Sequence, residues 1–277
     1  MKRILLAAMA LSLAMSGFSQ TDTTKNEKAD TIKIGGMVII KRGDKSDTTR
    51  NRNISISNRN RDRKKNANVS TNWWIVDLGF ANYSDHTNYS SAGTQAFAPG
   101  SNEEWLNLKT GKSINVNIWL FMQRLNLIKH AVNFKYGLGV ELNNYRFDDE
   151  QIRFQKNPTI IILDPALKDV KKNKLAADYV TVPLLLNFNF TPGRDKGFGI
   201  SGGVSGGYLY SSRQKIKRGD DRDKTHDDFN LRKWKLSYIG ELNLGVVKIY
   251  GSYATKSMWE KGLDQTPYSV GLRISNW

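Results

Sequence analysis

Histidine close to serine is the arrangement in this chain that suggests acid–base or nucleophilic chemistry. The chain has three histidines, His86, His130 and His226, and no cysteine, which excludes thiol chemistry, disulfides and a cysteine-linked lipid. His226 is near Ser211 and Ser212, and a histidine that activates a serine is typical of hydrolases. The alternating strand pattern predicts His130 in a turn at the opposite end of the molecule from His86 and His226. We therefore expect no enzyme, and a lipid-modifying enzyme that uses His226 with Ser211 or Ser212 is the less favoured alternative.

Metal binding has one candidate segment, Thr225-His226-Asp227-Asp228. Imidazole and carboxylate groups are metal ligands, but a site needs several of them in a fixed geometry. A lone histidine in a charged loop is more often solvated. We expect neither a metal nor a cofactor.

Charged side chains also occur within segments that alternate apolar and polar residues. Ionisable groups that are buried need partners, so we expect Glu141 and Glu241 to meet Lys135, Lys248 or Arg273. A paired structural network is favoured over a polar conduction path. We call this predicted set the interior charge network; it comprises Asp77, Lys135, Glu141, Lys235, Glu241, Lys248 and Arg273.

The elements that position these residues are strands, because apolar and polar residues alternate with a period of two. In one segment Val180, Val182 and Leu184 share a face, while in another Ile118, Leu120 and Met122 do so. Eight such segments are predicted, at about 73–83, 113–125, 131–146, 177–190, 197–212, 231–244, 246–256 and 267–277.

The connections between the segments alternate in length. Those after the second, fourth and sixth segments are short, whereas the connections at about 84–112, 147–176, 213–230 and 257–266 are long and polar. Short turns on one side and long loops on the other are typical of outer-membrane barrels. An even number of strands places both ends of the barrel on the short-turn, periplasmic side.

Alternation alone does not show which face meets lipid, because a soluble barrel has its apolar face inside. Here the polar face is small and mixed, as in Gly199, Ser201 and Gly203, and suits the narrow interior of an eight-stranded barrel. Aromatic residues such as Trp74 and Trp234 lie toward the segment ends, as at membrane interfaces. The sequence therefore predicts an all-β, eight-stranded, antiparallel, up-and-down transmembrane β-barrel over residues 73–277.

The N-terminal part predicts export and a tether. Residues 1–19 have a positive start, an apolar run and small residues before Gln20, which is typical of a signal peptide. Residues 20–72 form a polar, basic periplasmic tether with a possible short hairpin at 31–40. Of the net charge of +16, +7 lies in residues 41–65. Nucleic acid is not an expected partner, because an exported protein rarely meets it.

The outer loops are predicted to carry little net charge. Loop 213–230 has six basic and five acidic residues, and loop 148–173 has five of each. This near-balance argues against a strong anion-binding patch. An apolar run at 159–163 is the exception, and it either extends a strand above the membrane, the preferred interpretation, or binds a partner protein.

Together, the signal peptide, the Ile32-Lys33-Ile34-Gly35-Gly36 run, the alternating strand Tyr179–Phe188 and the aromatic C-terminus resemble the PorT-like outer-membrane β-barrel proteins of Bacteroidota. The resemblance covers most of the chain after the signal peptide and implies an outer-membrane location. It also implies a structural, binding or secretion-accessory role, with partners contacting residues 21–72 or the outer loops. A passive small-solute pore is the alternative. Trp277 departs from the pattern, since it is out of phase with the last strand.

Overall fold

The computed structural model describes residues 30–34, 37–41, 67–192, 194 and 197–275. The chain divides into two units, Met1–Asn60 and Arg61–Trp277. The predicted signal peptide, most of the tether and Trp277 lie outside the described residues.

In the first unit, two short strands lie where the sequence predicts a hairpin. Strands β1 (Asp30–Ile34) and β2 (Met37–Lys41) pair antiparallel, with Ile34 opposite Met37.

The second unit consists mainly of strands, as its period-two pattern predicts. One short helix, α1 (Ala92–Phe97), is capped by Ser91, whose Oγ accepts a hydrogen bond from the amide of Thr94 at 3.2 Å. Among the described residues, no helix has the length and apolar character needed to cross a membrane. The strands are β3 (Val69–Asp85), β4 (Ile114–Ile128), β5 (Val132–Arg146), β6 (Ile152–Phe154), β7 (Ile161–Leu163), β8 (Lys172–Asn189), β9 (Phe198–Arg218), β10 (Asp221–His226), β11 (Trp234–Leu244), β12 (Val247–Ala254) and β13 (Gln265–Ile274).

Eight of these strands close into a ring. Their order is β9-β11-β12-β13-β3-β4-β5-β8, and β8 pairs back onto β9. Every neighbouring pair is antiparallel, and β3 and β13, the first and last strands of the ring, are hydrogen-bonded to each other. The prediction of an eight-stranded antiparallel barrel is confirmed.

The apolar face of the barrel points outward, as predicted for a membrane barrel. Val182, Phe188 and Leu272 are 43%, 44% and 54% exposed, although they are large apolar side chains within strands of the ring. Their alternate neighbours, such as Thr181 and Asn187, are buried. A soluble barrel would have the reverse arrangement, so the exposed band is the lipid-facing surface.

The inward–outward pattern of β4 shifts at a bulge near its middle. Trp119 pairs with Gly139 and Phe121 pairs with Leu138, so the intervening Leu120 forms a β-bulge. Beyond the bulge Met122 points inward and is fully buried. The predicted outward position of Met122 is therefore wrong. A bulge adds one residue to the strand and reverses the faces of the residues after it, which a strict period of two does not allow for.

The predicted difference in loop length is present. Short turns join β4 to β5, β8 to β9 and β11 to β12, and long connections lie at the other end of the barrel. The predicted loop at 213–230 is instead mostly a β-hairpin. Residues 213–226 are not loop, because β9 continues to Arg218 and turns at Gly219 into β10, which pairs back onto it. This hairpin extends the sheet beyond the ring.

The outer loops fold into a hydrophobic cap at the end of the barrel with long connections. Helix α1 and the small β6–β7 hairpin bring Phe97, Phe154 and Ile161 together with Trp259. Phe154 stacks on Trp259 with ring centroids 5.9 Å apart, and Phe97 meets the same ring at 5.6 Å. The apolar run at 159–163 thus neither extends a barrel strand nor lies exposed, since Ile161 is fully buried in this cap.

Candidate functional site

Inside the barrel, Asp77 and Arg273 form a two-point ion pair. They are register partners on β3 and β13, with Nε–Oδ1 at 2.6 Å and a terminal guanidinium nitrogen 2.8 Å from Oδ2. Trp119 Nε1 donates to the same Oδ2 at 2.8 Å. Asp77 is fully buried, so these bonds replace the hydration that burial removes.

Glu241 extends this pair across the barrel. It accepts a hydrogen bond from Arg273 and another from Lys135 Nζ at 2.7 Å. Lys135 lies on β5 and Glu241 on β11, which are separated in the ring by β8 and β9. The chain of charges therefore links strands that share no backbone hydrogen bonds.

A second ion pair lies in the same interior. Lys235 on β11 donates to Glu141 on β5, and Asn143 Nδ2 donates to Glu141 at 2.9 Å. The Lys235 ammonium is also 5.2 Å from the centroid of the Tyr179 ring. Each carboxylate of the interior charge network thus has a cationic partner.

Lys248 differs from the other predicted members. Its Nζ donates to the carbonyl and hydroxyl oxygens of Ser275, at 2.8 and 2.7 Å. The described contacts therefore place Lys248 next to the carboxylate network without a direct ion pair to it. The structure brings the remaining six predicted residues into direct ion pairs.

A set of amides in the interior was not singled out by the sequence. Asn115 Nδ2 donates to Asn143 at 2.8 Å, and Tyr250 Oη donates to Asn115 at 2.6 Å. One sequence feature pointed to them: Asn115 and Asn117 occupy successive inward positions of β4. Amides can donate and accept at once, so they connect charged groups that do not touch.

Apolar side chains fill the space between the polar groups. Ile75, Trp119, Met122 and Leu185 form a buried cluster within the ring. Two small cavities between these groups have volumes of about 40 and 30 Å³. Each of these cavities is large enough for only a few water molecules.

The histidines are not assembled into a catalytic group in the described structure. His226 lies on β10 opposite Arg213, and Ser212 Oγ donates to the backbone carbonyl of Asp227. A serine–histidine hydrogen bond instead joins Ser84 Oγ and His86 Nε2 at 3.0 Å on the exposed rim. His130 lies in the turn between β4 and β5, at the opposite end.

Metal-binding potential is also limited. Within the described ranges, no three or more histidine, aspartate or glutamate side chains converge in a way that could hold a metal ion. Asp227 and Asp228 therefore do not form such a group with His226.

The charged residues of loop 213–230 are sorted onto two faces. Lys215 pairs with Lys224 and Lys217 with Arg222, so these four cations share the outward face of β9 and β10. Asp223 pairs with the buried Ile216 and therefore lies on the other face. The prediction that near-equal counts leave no strong basic patch is wrong, because strand pairing gathers four cations on one face.

A closed antiparallel ring with an outward apolar band, a filled polar interior and loops capping one end defines an integral outer-membrane β-barrel protein. Residues 66–254 match the family described as outer membrane protein beta-barrel domain, and the chain belongs to that family. The match places the protein in the bacterial outer membrane. No curated protein matches the chain.

Proposed function

We propose that this protein is a non-conducting, non-enzymatic barrel that serves as a structural and binding component of the outer membrane. The filling of the interior carries the proposal. Asp77, Arg273, Glu241 and Lys135 cross the barrel, and the aromatic cap that includes Trp259 lies over its outer end. A solute would have to break buried ion pairs and displace packed aromatic rings to pass.

Conductance measurements distinguish this role from that of a passive pore. We expect the purified full-length protein to show no unitary current steps in a planar bilayer. A conducting porin inserted afterwards into the same bilayer serves as the sensitivity control. Stable unitary steps from the wild-type protein would reject the proposal.

Enzymatic activity is tested at the exposed Ser84–His86 pair. The neighbouring carboxylate of Asp85 accepts hydrogen bonds from Thr87 N, Tyr89 Oη and Gln265 Nε2. These bonds, and not one from the His86 imidazole, occupy its oxygens. We expect unchanged phospholipid and lipid A composition in cells that overproduce the protein. A change in lipid composition that disappears in the Ser84→Ala variant would contradict the non-enzymatic role.

The resemblance to PorT-like barrels supports a more specific form of the proposal, in which the barrel is an accessory of a protein secretion assembly. Crosslinking in cells, followed by purification and mass spectrometry, tests it. The matched variant lacks residues 21–60 and keeps the whole of β3, which begins at Val69. We expect one envelope assembly to be recovered with the full chain and lost with the variant. Recovery of the barrel alone from both would contradict an accessory role.

A further inference from the structure

Seven cations form two rows across the outward face of the sheet, at the end with the long loops. In one row, successive register partners on β5, β8, β9 and β10 are Arg146, Lys174, Lys215 and Lys224. In the other, they are Lys172, Lys217 and Arg222 on β8, β9 and β10. We call these seven residues the basic face.

Such rows are unfavourable without a counter-ion. Side chains directly opposite each other on antiparallel strands have Cβ atoms about 5 Å apart, and like charges there are destabilising. Of the seven, only Lys217 has a carboxylate within 4.0 Å in the described structure, namely the exposed Asp220. The one acidic residue on the same face of these strands, Asp178, pairs with Arg213 instead.

The cations also enclose a space that a ligand could occupy. A surface cavity of about 410 Å³ lies over the basic face. Its charged lining has six cations and one carboxylate: Lys172, Lys174, Lys215, Lys217, Arg222, Lys224 and Asp223. This imbalance favours a polyanion, and the width of four strands favours more than one phosphate group.

Position along the barrel indicates which anion is available. The basic face continues the same surface as the lipid-facing side chains, with Val180 and Tyr208 opposite each other below it. Lys174 is six residues beyond Val180 on β8, or about 20 Å along the strand. Allowing for strand tilt, the basic face lies above the acyl chains, at the level of membrane sugars and their phosphates.

We propose that the basic face binds the phosphate groups on the sugars of the outer-leaflet glycolipid. Its residues contact those phosphates laterally while the apolar band below contacts the acyl chains. The inference rests on the outer-membrane location and is independent of whether the interior conducts.

The pKa of Lys174 reflects its partial burial and the cations that surround it. Partial burial is the largest cause that lowers the pKa of Lys174 to about 8. Neighbouring charges act with it: Lys172, Lys215 and Arg213 lower the pKa further, and Asp178 raises it. Arg146 on β5 adds another cation opposite Lys174. A bound phosphate would favour the ammonium form.

The experiment compares binding of three probes to the purified full-length protein in nanodiscs. The probes are a lipopolysaccharide with phosphates on its lipid A and inner-core sugars, the same lipopolysaccharide after dephosphorylation, and inorganic pyrophosphate. We expect tight, salt-sensitive binding of the phosphorylated form only. Equal binding of the dephosphorylated form would overturn the proposal, and preferential binding of pyrophosphate would overturn the glycolipid as its source.

Matched variants locate the site. The triple variant Lys174→Gln, Lys215→Gln, Lys224→Gln is expected to bind roughly 100-fold more weakly, since each cation near a membrane surface contributes about fivefold. The control removes three other exposed cations through Lys156→Gln, Lys168→Gln and Lys261→Gln, and keeps wild-type affinity. A third variant with arginine at the same three positions retains binding, which separates charge loss from misfolding. Unchanged binding by the glutamine variant would overturn the proposal.

Discussion

Asp77 and Arg273 face each other on the first and last strands of the ring and share two hydrogen bonds of 2.6 and 2.8 Å. The pair thus connects strands that are nearly 200 residues apart in sequence. Because both side chains are buried, each stabilises the fold only while the other is present. Removing one leaves an unpaired charge in a low-dielectric interior.

Asp77→Ala is expected to lower the free energy of unfolding by about 3–5 kcal/mol, the usual cost of breaking a buried ion pair. Urea unfolding in lipid vesicles, followed by tryptophan fluorescence, measures this change. The matched control is Lys248→Met, which removes an interior ammonium whose described hydrogen bonds go only to Ser275. If the control lowers the free energy of unfolding more than Asp77→Ala does, the Asp77–Arg273 pair is not the main stabilising contact of the interior.

Gly79 provides the space for a tyrosine hydroxyl in the interior. A Cβ atom at this position would lie 2.5 Å from Tyr250 Oη and still closer to the carbonyl of Val270. Gly79→Ala is therefore expected to cost about 1–3 kcal/mol of stability through overpacking. On the lipid-facing side, Gly240→Ala meets nothing closer than Ser201 O at 3.8 Å and should change stability by less than about 0.5 kcal/mol. Equal effects of both substitutions in the same unfolding assay would refute this difference in packing.

Asp85 makes the rim of the barrel sensitive to acid. Partial burial opposes its ionisation, but hydrogen bonds from Gln265, Thr87 and Tyr89 outweigh burial and lower its pKa. A lowered folded-state pKa stabilises the rim above the unfolded pKa of about 3.9, and this stability is lost as pH falls below that value. We expect protection of the Thr87 amide from hydrogen exchange, corrected for intrinsic rates, to decrease over that range. Asp85→Asn keeps one acceptor oxygen and should abolish the pH dependence; an unchanged profile in this variant would assign it to another group.

Trp259 holds the outer cap together. It is buried between Phe97 and Phe154, and its indole N–H donates to Gln265 Oε1 at 2.9 Å. Trp259→Ala is expected to cost the cap about 3–5 kcal/mol, so the outer loops should become susceptible to protease added from outside. Trp234→Ala, at a lipid-facing tryptophan that is 69% exposed, is the matched control and should leave the loops resistant. Equal cleavage of the two variants would show that the cap does not depend on Trp259.

The sequence alone determined the architecture of the barrel. Lipid requires apolar side chains and the barrel interior accepts polar ones, so successive residues of a strand alternate between the two types. In β5, burial alternates at every residue from Val132 to Arg146, as the sequence pattern predicts. The same rule identified Asp77, Glu241 and Arg273 as inward-facing. It failed at Met122, where a single bulged residue reverses the pattern.

Only the tertiary structure decided which of these residues meet. Glu141 pairs with Lys235 across the barrel, although the sequence offered Lys135, Lys248 and Arg273 as its partners. The cap and the basic face were hidden for the same reason. Alternation assigns each residue to a face of its own strand, whereas ion pairs, aromatic packing and rows of like charge depend on how separate strands are aligned. That alignment is set by ring closure and hydrogen-bond register, which couple segments far apart in the chain.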